Sequence, residues 1–227
     1  MTASFDPSSR NRLTSYDLGR FASTSLFDRI GRVVCATGKL PRKELYEAWE
    51  VARRTRRLFR GGHVVDFGGG HGLLAHLMLI LDDSSPTAVV VDPTIPASAG
   101  VLHDALCGEW PRLAGRVRFE TGSVVPDPSE SSVVVSCHAC GALTDRAIDL
   151  AVDARARLAV LPCCHDDETC DAGALRGWMD LSLAIDATRV ARLRAAGARV
   201  WTQQIPETIT PKNRLLLADC SDDLSVA

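Results

Sequence analysis

The sequence predicts an α/β domain built on a mostly parallel sheet, and three observations predict it. From residue 62 onward, short runs rich in Val and Leu alternate with stretches of helical spacing. Strands buried on both faces read as continuous apolar runs of this kind, and their alternation with helices implies parallel pairing. The first run leads directly into a glycine-rich turn. The last two runs stand too close together for a helix between them, which makes them an antiparallel pair.

The elements follow in order. Residues 1 to about 15 are rich in Ser, Asp, Pro and Arg and are expected to be loosely ordered. A first helix is predicted near Ser23 to Ala36, with Leu26, Ile30, Val33 and Val34 at helical spacing. A second runs from Pro41 to about Phe59, with proline at its first turn and Leu45, Trp49, Ala52 and Leu58 on one face. These helices form a cap within residues 1–60, ahead of an α/β domain at 61–227. The strands are "HVVDF" (63–67), "AVVVD" (88–92), "RVRFE" (116–120), "SVVVS" (132–136), "RLAVL" (157–161), "ARVWTQQI" (198–205) and "RLLLAD" (214–219). Helical stretches fill 72–82, 98–109, 144–153 and 173–196.

Composition narrows the function classes. The 227 residues fit one domain with a modest extension, and 46% hydrophobic with 24% charged residues is ordinary for a soluble globular chain. A formal net charge of −2 argues against broad binding to nucleic acid or anionic membrane. The opening "MTASFDPSSRNRL" lacks the apolar stretch of a signal peptide. The longest apolar run, Leu73 to Leu81, is interrupted by His76 and is too short to cross a bilayer. A cytoplasmic protein is expected, in which eight cysteines stay reduced and serve metal binding, catalysis or packing rather than disulfides.

"VVDFGGGHGLLA" (Val64 to Ala75) carries the first chemistry. Asp66, Gly68, Gly70 and Gly72 form D-x-G-x-G-x-G at a strand-to-helix turn. Glycines there let the backbone turn tightly and approach a ligand, and the following helix offers free N–H groups. "GHGLLA" also satisfies the dinucleotide pattern G-x-G-x-x-A. Asp66 favours S-adenosylmethionine (SAM) over NAD, because its charge would repel a pyrophosphate and suits the amino end of SAM. Asp92, at the end of the second strand, is positioned to accept hydrogen bonds from ribose hydroxyls; a strand-capping acid is the plainer alternative. "RRTRRLFR" (Arg53 to Arg60) reads as a solvated helix face, with contact to an anionic substrate as the sharper alternative.

"SCHACGALTDRAIDLA" (136–151) and "LPCCH" (161–165) follow the fourth and fifth strands. With these segments the chain resembles the SAM-dependent methyltransferase domain of glutathione S-transferase C-terminal domain-containing proteins. More distantly it is similar to acceptor-stem tRNA 2′-O-methyltransferases, which carry K-H-L-C-G-x-x-T-D followed by C-C-H. The matching positions are His138, Cys140, Gly141, Thr144, Asp145, Cys163, Cys164 and His165, while Cys137 stands where the tRNA enzymes have lysine. The resemblance, which covers about 62–219, implies a Rossmann-like methyltransferase fold with a seven-stranded sheet. It also implies SAM as cofactor, and a small-molecule or RNA acceptor. It places Ser123, after the third strand, where such enzymes often carry an acid that touches the adenine amine.

Ligands of parallel α/β sheets sit beyond the carboxyl ends of the strands, which brings both cysteine-bearing stretches to one rim. His138 is the first candidate for the base that takes a proton from the acceptor, followed by His165 and Asp145; a hydrogen-bonded histidine and a helix-capping Asp are the plainer readings. Cys137, Cys140, Cys163 and Cys164 contain a C-x-x-C half-site. Consecutive strand residues point to opposite faces, so Cys163 and Cys164 could share one ion only if the strand had already ended. The expectation is therefore reduced thiols lining the pocket floor and no metal ligands. A non-catalytic metal or redox module on the same scaffold is the rival, and a nucleoside-type glycine loop weighs against it.

Overall fold

The computed structural model describes residues 5–122 and 128–221. Two helices, α1 (Leu26–Thr37) and α2 (Arg42–Leu58), precede an alternating series: β1 (Val64–Phe67), α3 (Leu73–Leu81), β2 (Ala88–Asp92), α4 (Ser98–Glu109), β3 (Val117–Thr121), β4 (Val133–Ser136), α5 (Ala142–Asp153) and β5 (Arg157–Val160). The chain closes with α6 (Leu181–Ala195), β6 (Arg199–Gln204) and β7 (Arg214–Asp219). All seven predicted strands are present, in the sheet order β3-β2-β1-β4-β5-β7-β6. The sheet is the seven-stranded, Rossmann-like one expected, closed by an antiparallel strand. Only β7 is reversed: it runs antiparallel to both β5 and β6, while β1 to β5 pair in parallel.

The period-2 alternation of the strands separates two apolar layers. Val64, Val90, Val133 and Val135 face the layer that contains α2, α3 and residues of α1 and α4. Val65, Phe67, Val89, Val91 and Val134 face the layer under α5 and α6. Asp66 shares the face of Val64, so its carboxylate enters the α3 side of the sheet from the end of a fully buried strand. The strand order reverses between β1 and β4, and that crevice is where ligands of open α/β sheets bind.

The N-terminal segment departs from the expectation of loose order. Leu13 is fully buried and its N–H donates to the Leu40 carbonyl at 2.9 Å. Arg42 and Lys43 N–H groups donate to the carbonyls of Asn11 and Ser9. The Arg42 guanidinium lies 3.7 Å over the Phe5 ring, which meets Phe21 edge-on. A 3-10 turn follows at Ser15–Arg20. A few apolar anchors in a polar stretch are enough to dock it. The region predicted as helix from 173 to 196 is a helix only from Leu181, where Asp180 accepts from the Leu183 N–H as its N-cap. Among the described residues no helix is long and apolar enough to cross a membrane.

Candidate functional site

The glycine loop after β1 lines a cavity of about 210 Å³ at the sheet crevice. Asp66, Gly68, Gly69 and Gly70 form its floor with Asp92; Cys137 and His138 enter from the loop after β4, and Glu44 and Ala48 from α2. The cap helix is therefore one wall of the cavity. Glu44 and Ala48 are four residues apart and share a helix face. Burial, reinforced by the neighbouring Glu47 carboxyl, raises Glu44 to a pKa of about 7.

Asp66 is 1% exposed. One carboxylate oxygen, Oδ2, accepts from the Ala75 N–H at 3.0 Å, at the start of α3. The other, Oδ1, is buried and has no hydrogen-bond partner. Burial raises the Asp66 pKa to about 7, against the lowering effect of the Ala75 N–H and with a further push from the Asp92 charge. An unpaired buried carboxylate oxygen in a cavity is costly unless a donor arrives to meet it.

The loop glycines do different jobs. A Cβ on Gly69 would come within 2.6 Å of the Asp66 carboxyl carbon, so only glycine lets the loop close over that acid. At Gly70 a Cβ would meet nothing within 4 Å; the backbone there borders open space and has a φ of +50°. The Gly70 N–H donates to Asp92 Oδ2 at 3.0 Å, and the Thr94 N–H to Asp92 Oδ1 at 2.9 Å. Each of those oxygens keeps a second lone pair. Gly68 and Gly72 also sit at positive φ; Gly68 borders a second, smaller cavity of about 70 Å³ lined by Phe67, Val91, Pro93, Gly122, Leu143 and Arg146. Ser123 lies outside the described residues.

His138 reaches the cavity with an exposed ring. The protein mass around the cavity mouth, with positive charge from Lys43 and His71, lowers its pKa, so the imidazole is neutral at pH 7. The other two candidate bases lie elsewhere. Asp145 accepts from Arg189 Nη2 at 2.7 Å and from Arg192 Nη1 at 2.9 Å. His165 Nε2 donates to Asp186 Oδ1 at 2.8 Å, and Asp186 also binds Arg189 and Arg214. Arg189, 1% exposed, joins these acids in one network between α5 and α6 and also donates to the Gly141 carbonyl. Neither Asp145 nor His165 is among the residues that line the cavity: Asp145 pairs with Arg189 and Arg192, and His165 is hydrogen-bonded to Asp186, all on α6.

His71 was missed. It lines the cavity from within the glycine loop, and its Nε2 lies 2.9 Å from Ser98 Oγ. The pattern G-G-G-H-G was its only signal. The arginine run is not a surface patch throughout: Arg56 is 3% exposed and donates to Ser85 Oγ and the Met78 carbonyl, while Arg53 and Arg54 both pair with Glu50. A larger cleft of about 580 Å³ opens between α6 and the β6/β7 edge, but Asp186 and Arg214 on its wall already pair with each other.

The cysteines divide into two groups. Cys137 is buried beside Asp66 and Glu47, and burial together with those acids raises its thiol well above the ordinary range. Cys140, Cys163 and Cys164 converge instead, with all three sulfurs within 4.8 Å of one another. The expected obstacle to that convergence is absent. Strand β5 ends at Val160, so residues 163 and 164 lie in irregular chain and need not point to opposite faces.

Comparison with known proteins adds the following. A family model described as a methyltransferase domain matches residues 44–169. Among curated proteins no match is found. Solved structures similar to this chain include a precorrin-6y C5,15-methyltransferase from Geobacter metallireducens, at 13% identity, TM-score 0.46, covering 75% of this chain and 85% of that one. Another is an O-methyltransferase family protein from Burkholderia thailandensis, at 17% identity, TM-score 0.49, covering 92% of this chain and 68% of that one. The family match begins on the helix that walls the cavity, runs through the glycine loop and ends beyond the converging thiols. Since it takes in more than half of the 227 residues, the chain belongs to the methyltransferase-domain family.

Proposed function

We propose that the chain transfers a methyl group from SAM to a small-molecule or RNA acceptor, with residues 1–60 as a cap over the reacting groups. One observation carries the cofactor assignment: the buried, unpartnered Oδ1 of Asp66 in the cavity floor. An α-ammonium group supplies the missing donors and the opposite charge. The free lone pairs of Asp92 suit ribose hydroxyls. The small apolar cavity beyond Gly68, with Phe67, Val91 and Leu143, suits a base. SAM supplies an activated methyl on a sulfonium, and the chain's own residues hold it and the acceptor in line.

His138 is the proposed base, since it is neutral at pH 7 and stands where the cavity meets solvent. Glu44, whose pKa burial raises to about 7, faces the same cavity from the cap and can orient an acceptor amine or hydroxyl. The segments "CHACG…TD" and "PCCH" support the finer kinship with the glutathione S-transferase C-terminal domain group and, more distantly, the tRNA 2′-O-methyltransferases. A small molecule is the preferred acceptor, because the arginine run spends Arg53, Arg54 and Arg56 on internal partners. Calorimetric titration with SAM, S-adenosylhomocysteine and NAD tests the cofactor. Micromolar binding of the first two, roughly −8 kcal/mol, is expected. Preference for NAD would overturn the reading.

A further inference from the structure

Three thiols converge where the loop that carries His138 meets the connection after β5. Cys140 comes from the connection between β4 and α5, and Cys163 and Cys164 from the connection after β5. Cys140 Sγ lies 2.9 Å from Cys163 Sγ, and Cys163 Sγ lies 3.8 Å from Cys164 Sγ. Two thiolates on one tetrahedral zinc ion, at Zn–S distances of about 2.3 Å, are separated by about 3.8 Å. The Cys163–Cys164 pair already has that spacing. Cys140 reaches it by a small outward side-chain rotation, for which its exposed position leaves room.

From this geometry we infer a zinc site formed by Cys140, Cys163 and Cys164, with the fourth position open towards solvent. Thiolate is the ligand that zinc takes in tetrahedral sites, and three protein ligands with one open position is a recurrent arrangement. Binding releases the thiol protons: three S–H bonds are replaced by three Zn–S bonds, and the centre carries one net negative charge. The ammonium of Lys212, on the β6–β7 connection, acts on Cys140 and offsets part of that charge. Burial, followed by crowding from Cys140 and Cys164, raises the Cys163 thiol. A dication relieves that crowding, which three neighbouring thiolates cannot do alone.

The surroundings hold the two loops in register. The Gly141 N–H donates to the Cys164 carbonyl at 3.3 Å, and buried Arg189 donates to the Gly141 carbonyl at 3.2 Å. A bound ion would tie the His138 loop to the loop after β5 at the point where these bonds cross. Cys137 is buried and lies outside the group of sulfurs within 4.8 Å of one another, although charge on Cys163 also acts on it. The site accompanies the methyltransferase fold and does not depend on which cofactor or acceptor the cavity takes.

Cobalt(II) reports such a site directly. The full-length chain without an affinity tag is reduced, freed of reductant under anaerobic conditions and titrated with cobalt(II) followed by zinc(II). The expected result is a sulfur-to-cobalt charge-transfer band and intense tetrahedral d–d bands that saturate at one ion per chain and are displaced by zinc. Cys140→Ser and Cys164→Ser should each weaken zinc binding at least about tenfold and change the bands, while Cys220→Ser leaves them unaltered. Circular dichroism establishes that each variant is folded. Absence of the charge-transfer band in the reduced folded protein would overturn the site, and so would a band unchanged in both Cys140→Ser and Cys164→Ser.

Discussion

Two regions of the strand rim hold acids, buried Asp66 in one and half-buried Asp145 and Asp186 in the other, and their partners differ. At the end of β1, Asp66 keeps one carboxylate oxygen buried without a partner, beside a loop whose glycines leave open space. Between α5 and α6, Asp145 and Asp186 are saturated by Arg189, Arg192, Arg214 and His165. Both regions looked functional in the sequence because both hold acids and histidines near strand ends. Only the first leaves a carboxylate oxygen unpaired at a cavity; in the second the acids are paired, and the buried atom without a partner is His165 Nδ1, which lines neither the cavity nor the larger cleft. Its acids are held by basic residues of α6 and β7.

The sharpest way to break this contrast is to remove Arg189. Arg189→Met removes the buried cation that Asp145 and Asp186 share; Arg192, Arg214 and His165 remain on these half-buried acids, so the cost should lie at the low end of the range for a broken buried pair, about 3 kcal/mol. Urea denaturation should show a shift of that size, while SAM affinity of the folded variant stays near wild type. Unchanged stability with lost binding would move the site to the α5–α6 side.

Asp92→Ala should have the next largest effect, in the opposite register. It removes the acceptor for the Gly70 and Thr94 N–H groups, and ribose hydroxyls lose their partner. SAM binding should weaken by about 1–3 kcal/mol by calorimetry. His138→Ala should have the smallest effect on binding, with SAM affinity within about 0.5 kcal/mol of wild type, and a large loss in the transfer step. Equal turnover by wild type and His138→Ala, measured on any accepted substrate, would remove His138 from the mechanism.

The legible and illegible parts of the sequence follow the same division. Strands buried on both faces announce themselves as Val or Leu runs, so β2 and β7 stand at the residues expected, and the glycine loop could be placed from its spacing. What the pattern cannot carry is where a side chain goes once its strand has ended. His138 and His165 each follow a strand in a similar setting, yet Asp186 of α6 captures one of them across 21 residues of chain. Cys163 and Cys164 converge with Cys140 because β5 stops at Val160, one residue short of the predicted end at Leu161 and ahead of Pro162. The condition under which the two could share one ion, a strand already ended, is met. The N-terminal tail docks through Phe5 and Leu13, two apolar residues too sparse to form a periodic signal. Glu44 escaped notice because the apolar stripe of α2 points to the core and says nothing of its neighbouring face.

The central claim is that Asp66 receives a positively charged group, and the pH dependence of SAM affinity tests it most directly. Burial raises the free Asp66 pKa to about 7, and a bound ammonium would lower it. The acid is then ionised and attractive above pH 7, and protonated and neutral below it, while an α-ammonium stays charged up to about pH 8. Affinity should therefore be highest between about 7 and 8 and fall by up to about tenfold for each pH unit below 7, until the pKa of the complex is reached. Asp66→Asn keeps an acceptor for the Ala75 N–H but no charge; it should bind SAM at least about tenfold more weakly at pH 7.5, and between pH 6 and 7.5 it should keep only the smaller dependence that Glu44, with a pKa of about 7 in the same cavity, contributes. Equal binding by wild type and Asp66→Asn, with the same pH profile in both, would contradict the account.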